Sequence, residues 1–135
     1  MATASVELQK AIFAALKADN AIQAVVGGRI HDHAPAKLRF PYLTFGRTNS
    51  YDWSTGTEIG TEHLFSIHVW SKATGKTETL ELMGRIEELL REGALTLHGH
   101  QLVNLTPSFA ESRFDEDQAL HHGLLRYRAV TEPVA

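Results

Sequence analysis

The segment Leu64-Phe65-Ser66-Ile67-His68-Val69-Trp70 alternates in character from each residue to the next. Phe65, Ile67 and Val69 fall on one side of an extended chain, whereas Ser66 and His68, with Leu64 and Trp70, fall on the other. This is the pattern of a β-strand with one face in a core. Ser71 to Gly75 reads as a turn. Leu82, Met83, Ile86, Leu89 and Leu90 then recur at helical spacing, which predicts a long helix from about Lys76 to Arg91. Glu78 near its start and Arg91 near its end suit the helix dipole, and Gly93 follows as a stop.

Upstream, Leu8, Ile12 and Leu16 recur every fourth position from Ser5 onward, with Phe13 and Ala15 widening the stripe. Asp19-Asn20 ends this helix and caps a short second one, Ala21 to Val26, which Gly27-Gly28 terminates. Arg29 to Phe40 shows no period and reads as a surface loop. Pro41 opens a β-rich run to Thr48, where a ladder donor is not yet needed. Asn49 to Gly60, rich in Asn, Ser, Thr, Gly and Asp, reads as a long connection. Downstream, Thr96–His98 and Gln101–Thr106 are expected to form a hairpin across His98-Gly99-His100. Pro107 to Gln118 reads as a polar, acidic loop, and His122 to Glu132 as a last strand with Leu125, Tyr127 and Ala129 facing one way.

Strands paired in hairpins with helices between the pairs imply an α+β fold. The expected architecture is an antiparallel sheet of about four main strands, with the N-terminal helix and the long middle helix packed on one face. One domain over residues 1–135 is expected, with loose ends at about 1–4 and 133–135. Cysteine is absent, which excludes a disulfide framework, a thiolate nucleophile and Cys-based metal sites. Sixteen acidic residues against thirteen basic ones give a formal net charge of −3, the wrong sign for gripping phosphate backbones. The apolar stretch Ala11–Leu16 is far short of the roughly 20 residues a bilayer span requires. Glu7 and Lys10 ahead of it do not make a signal peptide, so the chain is expected to stay where it is made, away from membranes.

Three groupings invite a chemical reading. Ala73-Thr74-Gly75-Lys76-Thr77 copies the back half of a phosphate-binding loop, but Trp70 stands where the front glycine belongs and no apolar run ending in Asp follows. His31/His33, His98/His100 and His121/His122 have pairwise spacing suited to metal, yet a site needs three or four converging groups. Glu111, Asp115, Glu116 and Asp117 are acids without evident burial, and no serine sits in a nucleophile elbow. No catalytic, cofactor or metal residue is assigned. The expectation is a protein that is not an enzyme; a small ligand- or metal-binding domain using the histidine pairs is the alternative.

What remains is an interaction surface. Tyr51, Asp52 and Trp53 place two large aromatics in a long polar loop, where they either meet a partner or fold back onto the sheet. His68 and Trp70 lie on the sheet face that helices on the other side leave uncovered. Arg126, on the last strand, completes the candidate set.

Taken in order, several motifs resemble a known family. They are Gly27-Gly28-Arg29-Ile30 with Asp32, Phe40-Pro41-Tyr42-Leu43-Thr44-Phe45-Gly46, Asp52-Trp53-Ser54, His68-Val69-Trp70-Ser71 and Gly123-Leu124-Leu125-Arg126-Tyr127-Arg128-Ala129. This series, from about Val6 to Glu132, resembles the tail-completion (tail-terminator) proteins of long-tailed phages, in the branch of prophages and gene transfer agents. The resemblance implies a virion protein that forms a homo-oligomeric ring, usually a hexamer, at the head-proximal end of the tail. Such a ring caps the tube of major tail tube protein, stops its growth and meets the head–tail connector or stopper. DNA passes through its lumen without specific binding. The resemblance implies no cofactor and no catalytic residue. A neighbouring stopper or adaptor subunit is a further alternative within the same setting.

Overall fold

In a computed structural model of the chain, residues 3–93 and 95–134 are described. The first helix, α1 (Ala4–Ala18), starts where the Thr3 hydroxyl accepts the Val6 N–H. Its apolar stripe of Leu8, Ala11, Ile12 and Leu16 is buried. Phe13 is not part of that stripe: it stays partly exposed, with the Lys17 ammonium over its ring. Asp19 ends α1 and opens α2 (Asn20–Val26), its carboxylate accepting the Ile22 N–H at 3.0 Å. The same carboxylate receives Arg85 from the third helix, α3 (Thr77–Glu92), through both Nε and Nη2. Those Arg85 bonds hold the Asp19 carboxyl below the usual carboxylate range, although its burial acts the other way. One side chain thus caps a helix and ties it to another. Gly27, left-handed at φ 55°, ends α2 with its N–H on Gln23 O.

The strands are β1 (Ile30–His31), β2 (Tyr42–Asp52), β3 (Thr61–Ser71), β4 (His100–Asp115) and β5 (Leu120–Pro133). They form one sheet in the order β1-β2-β3-β5-β4, antiparallel throughout except for β1 against β2. The α+β architecture with helices on one face is as the alternation of β3 implies. Five strands are present among the described residues, where about four main strands were expected. β1 lies inside the segment read as loop, since two residues carry no periodicity; buried Ile30 and its ladder partner Leu43 hold it.

The C-terminal half differs more. Thr96–His98 is not a strand, and the chain does not turn back at Gly99. Instead β4 runs sixteen residues through the stretch read as an acidic loop and pairs with β5 across the turn at 116–119. The physical reason is position: β4 is an edge strand, largely exposed on both faces, so no alternation is imposed on its sequence. Pro107 is tolerated because it sits at an edge and beside a bulge. At the chain ends, the Thr3 hydroxyl caps α1 and the Val134 N–H bonds to Gly99 O. Residues 1, 2 and 135 lie outside the described residues.

The core is a cluster from all three helices and the helix side of the sheet, including Ile12, Leu16, Ile22, Leu43, Ile67, Ile86, Leu125 and Tyr127. Phe65 and Tyr127 stack in it with centroids 5.4 Å apart. Helix α3 packs directly over β5 at Gly123, where a Cβ would stand 2.7 Å from Met83 Sδ and 2.9 Å from Thr79 Cγ2. Gly123→Ala is therefore expected to lower unfolding stability by about 1–3 kcal/mol through overpacking, measured by urea denaturation. Asp19→Ala should lose about 1 kcal/mol from the cap alone. Asp19→Asn, which can still cap α2, should lose less than Asp19→Ala in the same titration.

Candidate assembly surface

The helix-free face of the sheet carries the alternate residues of each strand. Tyr42 and Thr44 of β2 stand beside Trp70 and His68 of β3, which pair in turn with His122 and Leu124 of β5. Trp70 stacks on His122 with centroids 4.1 Å apart and the planes 1° from parallel, and donates its indole N–H to Thr44 Oγ1 at 3.0 Å. His68 Nδ1 and His122 Nε2 are 2.7 Å apart, so one ring donates and the other accepts. Tyr42 extends the stack from Trp70, and Phe40 meets Tyr42 at a tilt, under the Lys72 ammonium. His68 and Trp70 are brought together here as the sequence pattern implied. His122 was considered there only as a metal candidate; its register opposite Trp70 is set by strand pairing and is not visible locally.

Both imidazoles are held below the ordinary histidine range. Burial is the main cause at His122, pushed down to about 4, helped by His68 and Arg113. Burial and the nearby Arg126 guanidinium act in the same direction on His68. Protonating both would also place two like charges across one short contact.

Tyr51, Asp52 and Trp53 sit at the far end of this face. Tyr51 is exposed, its hydroxyl accepting from Asn49 Nδ2 at 3.4 Å. The Asp52 carboxylate accepts the Ser54 N–H, and its bonds to Ser54 hold its pKa below the usual value. Trp53 is half-exposed at the base of the 53–60 loop: its N–H bonds to Gly60 O, and Arg128 lies over its ring at 5.9 Å. It neither stands free at the loop tip nor enters the core. Arg128 is itself paired to Glu62. Arg126, exposed, lies over Phe109 of β4 at 5.3 Å. The six candidates therefore share the helix-free side and its rim but do not form one cluster.

The remaining temptations resolve geometrically. The Gly75-Lys76-Thr77 corner leaves a strand flanked by antiparallel neighbours, and Ser71 closes it by donating to Glu78 Oε1 at 2.6 Å while accepting the Ala73 N–H. His121 and His122 occupy successive ladder positions on β5 and so point to opposite faces, and the His98 backbone N–H bonds to Glu7. Among the described residues no three His, Asp or Glu side chains are grouped to hold a metal ion.

Set beside known proteins, residues 10–132 match the family model described as "Tail completion protein gp17". The chain belongs to that family. Among solved structures it is similar to a chain of the virion of a native gene transfer agent particle, at 28% identity and TM-score 0.88, covering 98% of this chain and 99% of that one. It shares its fold with the bacteriophage SPP1 gp17 protein, at 23% identity and TM-score 0.67, covering 98% and 91%. No curated protein matches. The family makes this a structural protein of phage-type tails.

A pH response follows from the two imidazoles. Unfolded histidine titrates near 6.5. The stability that neutral His122 contributes is full above that value and is lost as pH falls toward about 4, because the unfolded chain then binds the proton first. Thermal unfolding should therefore show a falling midpoint between pH 6.5 and 4, and the decline should be shallower in His122→Gln. Direct NMR titration should find His122 still neutral at pH 5.5.

Proposed function

We propose that the protein is a ring-forming tail terminator: a homo-oligomer, usually six-fold in such assemblies, that caps the tail tube and joins it to the head. In this reading residues 1–135 act as one domain. Its partners are copies of itself, the major tail tube protein and the head–tail connector or stopper. It works in the virion by shape and contact rather than catalysis, and DNA passes through the ring without being gripped.

The observation that carries the reading is the end-to-end match. Family likeness spans residues 10–132 in one register, and nearly the whole chain superposes on nearly the whole of a chain from a gene transfer agent virion. A weakly acidic protein suits a channel for a polyanion, since like charge keeps DNA from sticking to the wall. A ring also offers a use for a sheet with a long exposed edge, which a lone monomer would have to shield.

The test is deletion of the gene in the producing strain, followed by electron microscopy of the lysate. The expected result is DNA-filled heads beside unattached tubes of irregular length. Tubes of normal length without heads would favour a stopper or adaptor instead, and normal joined particles would refute the assignment.

A further inference from the structure

The rung Ser66–Arg126 at the centre of the helix-free face is unlike any other in the sheet. On its β2 side the ladder passes from Phe45–Ile67 to Thr48–Phe65, leaving Gly46 and Arg47 together opposite Ser66. On its β4 side the ladder passes from Pro107–Tyr127 to Phe109–Arg126, leaving Ser108 as an extra residue. Two bulges therefore flank one rung, and bulges bend strands and re-aim side chains. The result is a concavity of about 570 Å3 whose walls include Arg47, Asn49, Ser66, His68, Ser108 and Arg126. Small residues keep it open. A side chain at Gly46 would collide with the His68 imidazole and crowd Ser66.

The charges here are unspent. Among the described residues neither Arg47 nor Arg126 makes an ion pair, whereas nearby Arg128 is taken up by Glu62. Asn49, Ser66 and Ser108 add hydrogen-bonding groups, so the concavity suits an anion. A polyanion is the poorer fit, because binding a phosphate backbone needs a run of free cations. The same face also carries Glu62, Glu111 and Asp115 on its strands. One or two carboxylates match the site better.

The chain carries such a group at the end of the sheet where β4 turns into β5. In the β4–β5 turn the Asp115 carboxylate accepts the Gln118 N–H at 3.1 Å, and Ala119 closes the turn at φ 54°. Glu116 and Asp117 project from this ordered tip, exposed and with no ion pair among the described residues. We propose that the Glu116–Asp117 tip of one copy seats in the Arg47–Arg126 concavity of the next. Tip and cup are different surfaces of one chain, so the contact is head-to-tail, the kind that closes into rings. This rests on the ring reading and supplies one of its joints.

The absence of cysteine gives a clean test. Gln118→Cys and Ser108→Cys single variants are mixed, in solution at raised concentration and in assembled particles, and oxidised. A disulfide-linked pair is expected from the mixture, and from neither variant alone. In parallel, Glu116→Lys/Asp117→Lys and Arg47→Glu/Arg126→Glu, each checked for native circular dichroism, should separately lose incorporation into particles by at least tenfold. An equal mixture of the two should restore it, because each reversed tip then meets an opposite cup. Particles that assemble with unchanged efficiency from either variant, or that give no cross-link, would overturn the tip-and-cup contact while leaving the ring intact. Absence of any oligomer in particles would overturn the ring reading itself. Loss of duplex-DNA retention by Arg47→Glu/Arg126→Glu, with no rescue on mixing, would assign the concavity to phosphate and overturn the proposal.

Discussion

Burial on one side only of an antiparallel sheet is the constraint from which the other features follow. Ile67, Val69, Leu125 and Ala129 must face α1 and α3, and the two-residue period of a strand then commits Ser66, His68, Leu124 and Arg128 to the opposite side. A slip of one residue would exchange the two sets, burying Arg126 and exposing Tyr127. The fit of α3 over Gly123 fixes how near the helix layer can come. Asp19 adds a polar tie to the same layer by holding α2 and Arg85 together. The apolar layer therefore sets the register, and the register assigns the residues of the free face.

That free face is organised without a second helix layer. At one end stacked Trp70, His122 and His68 satisfy one another and Thr44, at the cost of keeping two imidazoles uncharged. In the middle, paired bulges open a concavity between arginines that make no ion pair among the described residues. At the far end Trp53, Arg128 and Glu62 form a smaller polar–aromatic cluster. Long edge strands are usually hidden or blunted. In β4 the bulges and Pro107 interrupt the half nearest His100, while the half ending at Asp115 stays regular and leads to the acidic tip.

Much of this was legible residue by residue, and the failures have physical causes. Leu8, Ile12 and Leu16, or Phe65, Ile67 and Val69, announce their elements because a nearby core punishes a polar residue at those positions. The motif series from Gly27-Gly28 to Ala129 was enough to point to the family. His68 and Trp70 could be placed on the uncovered face by counting alone. His122 could not be placed beside them, because its register depends on a pairing 54 residues away from His68. The acidic stretch after Pro107 looked like loop since nothing packs over an edge strand to select against acids. Arg47 escaped notice because a bulge, invisible to a strict two-residue count, is what turns it toward Arg126.

The amino-acid sequence by itself determined the helices, the two central strands, the lack of thiol chemistry and the family. Each of these depends on local periodicity, composition or an ordered set of motifs. Only the tertiary structure decided the strand order, the long β4–β5 hairpin and the depression at the Ser66–Arg126 rung. These arise from contacts between residues far apart in the chain, where backbone hydrogen bonds carry no side-chain signature and one extra residue in a strand redirects all that follow.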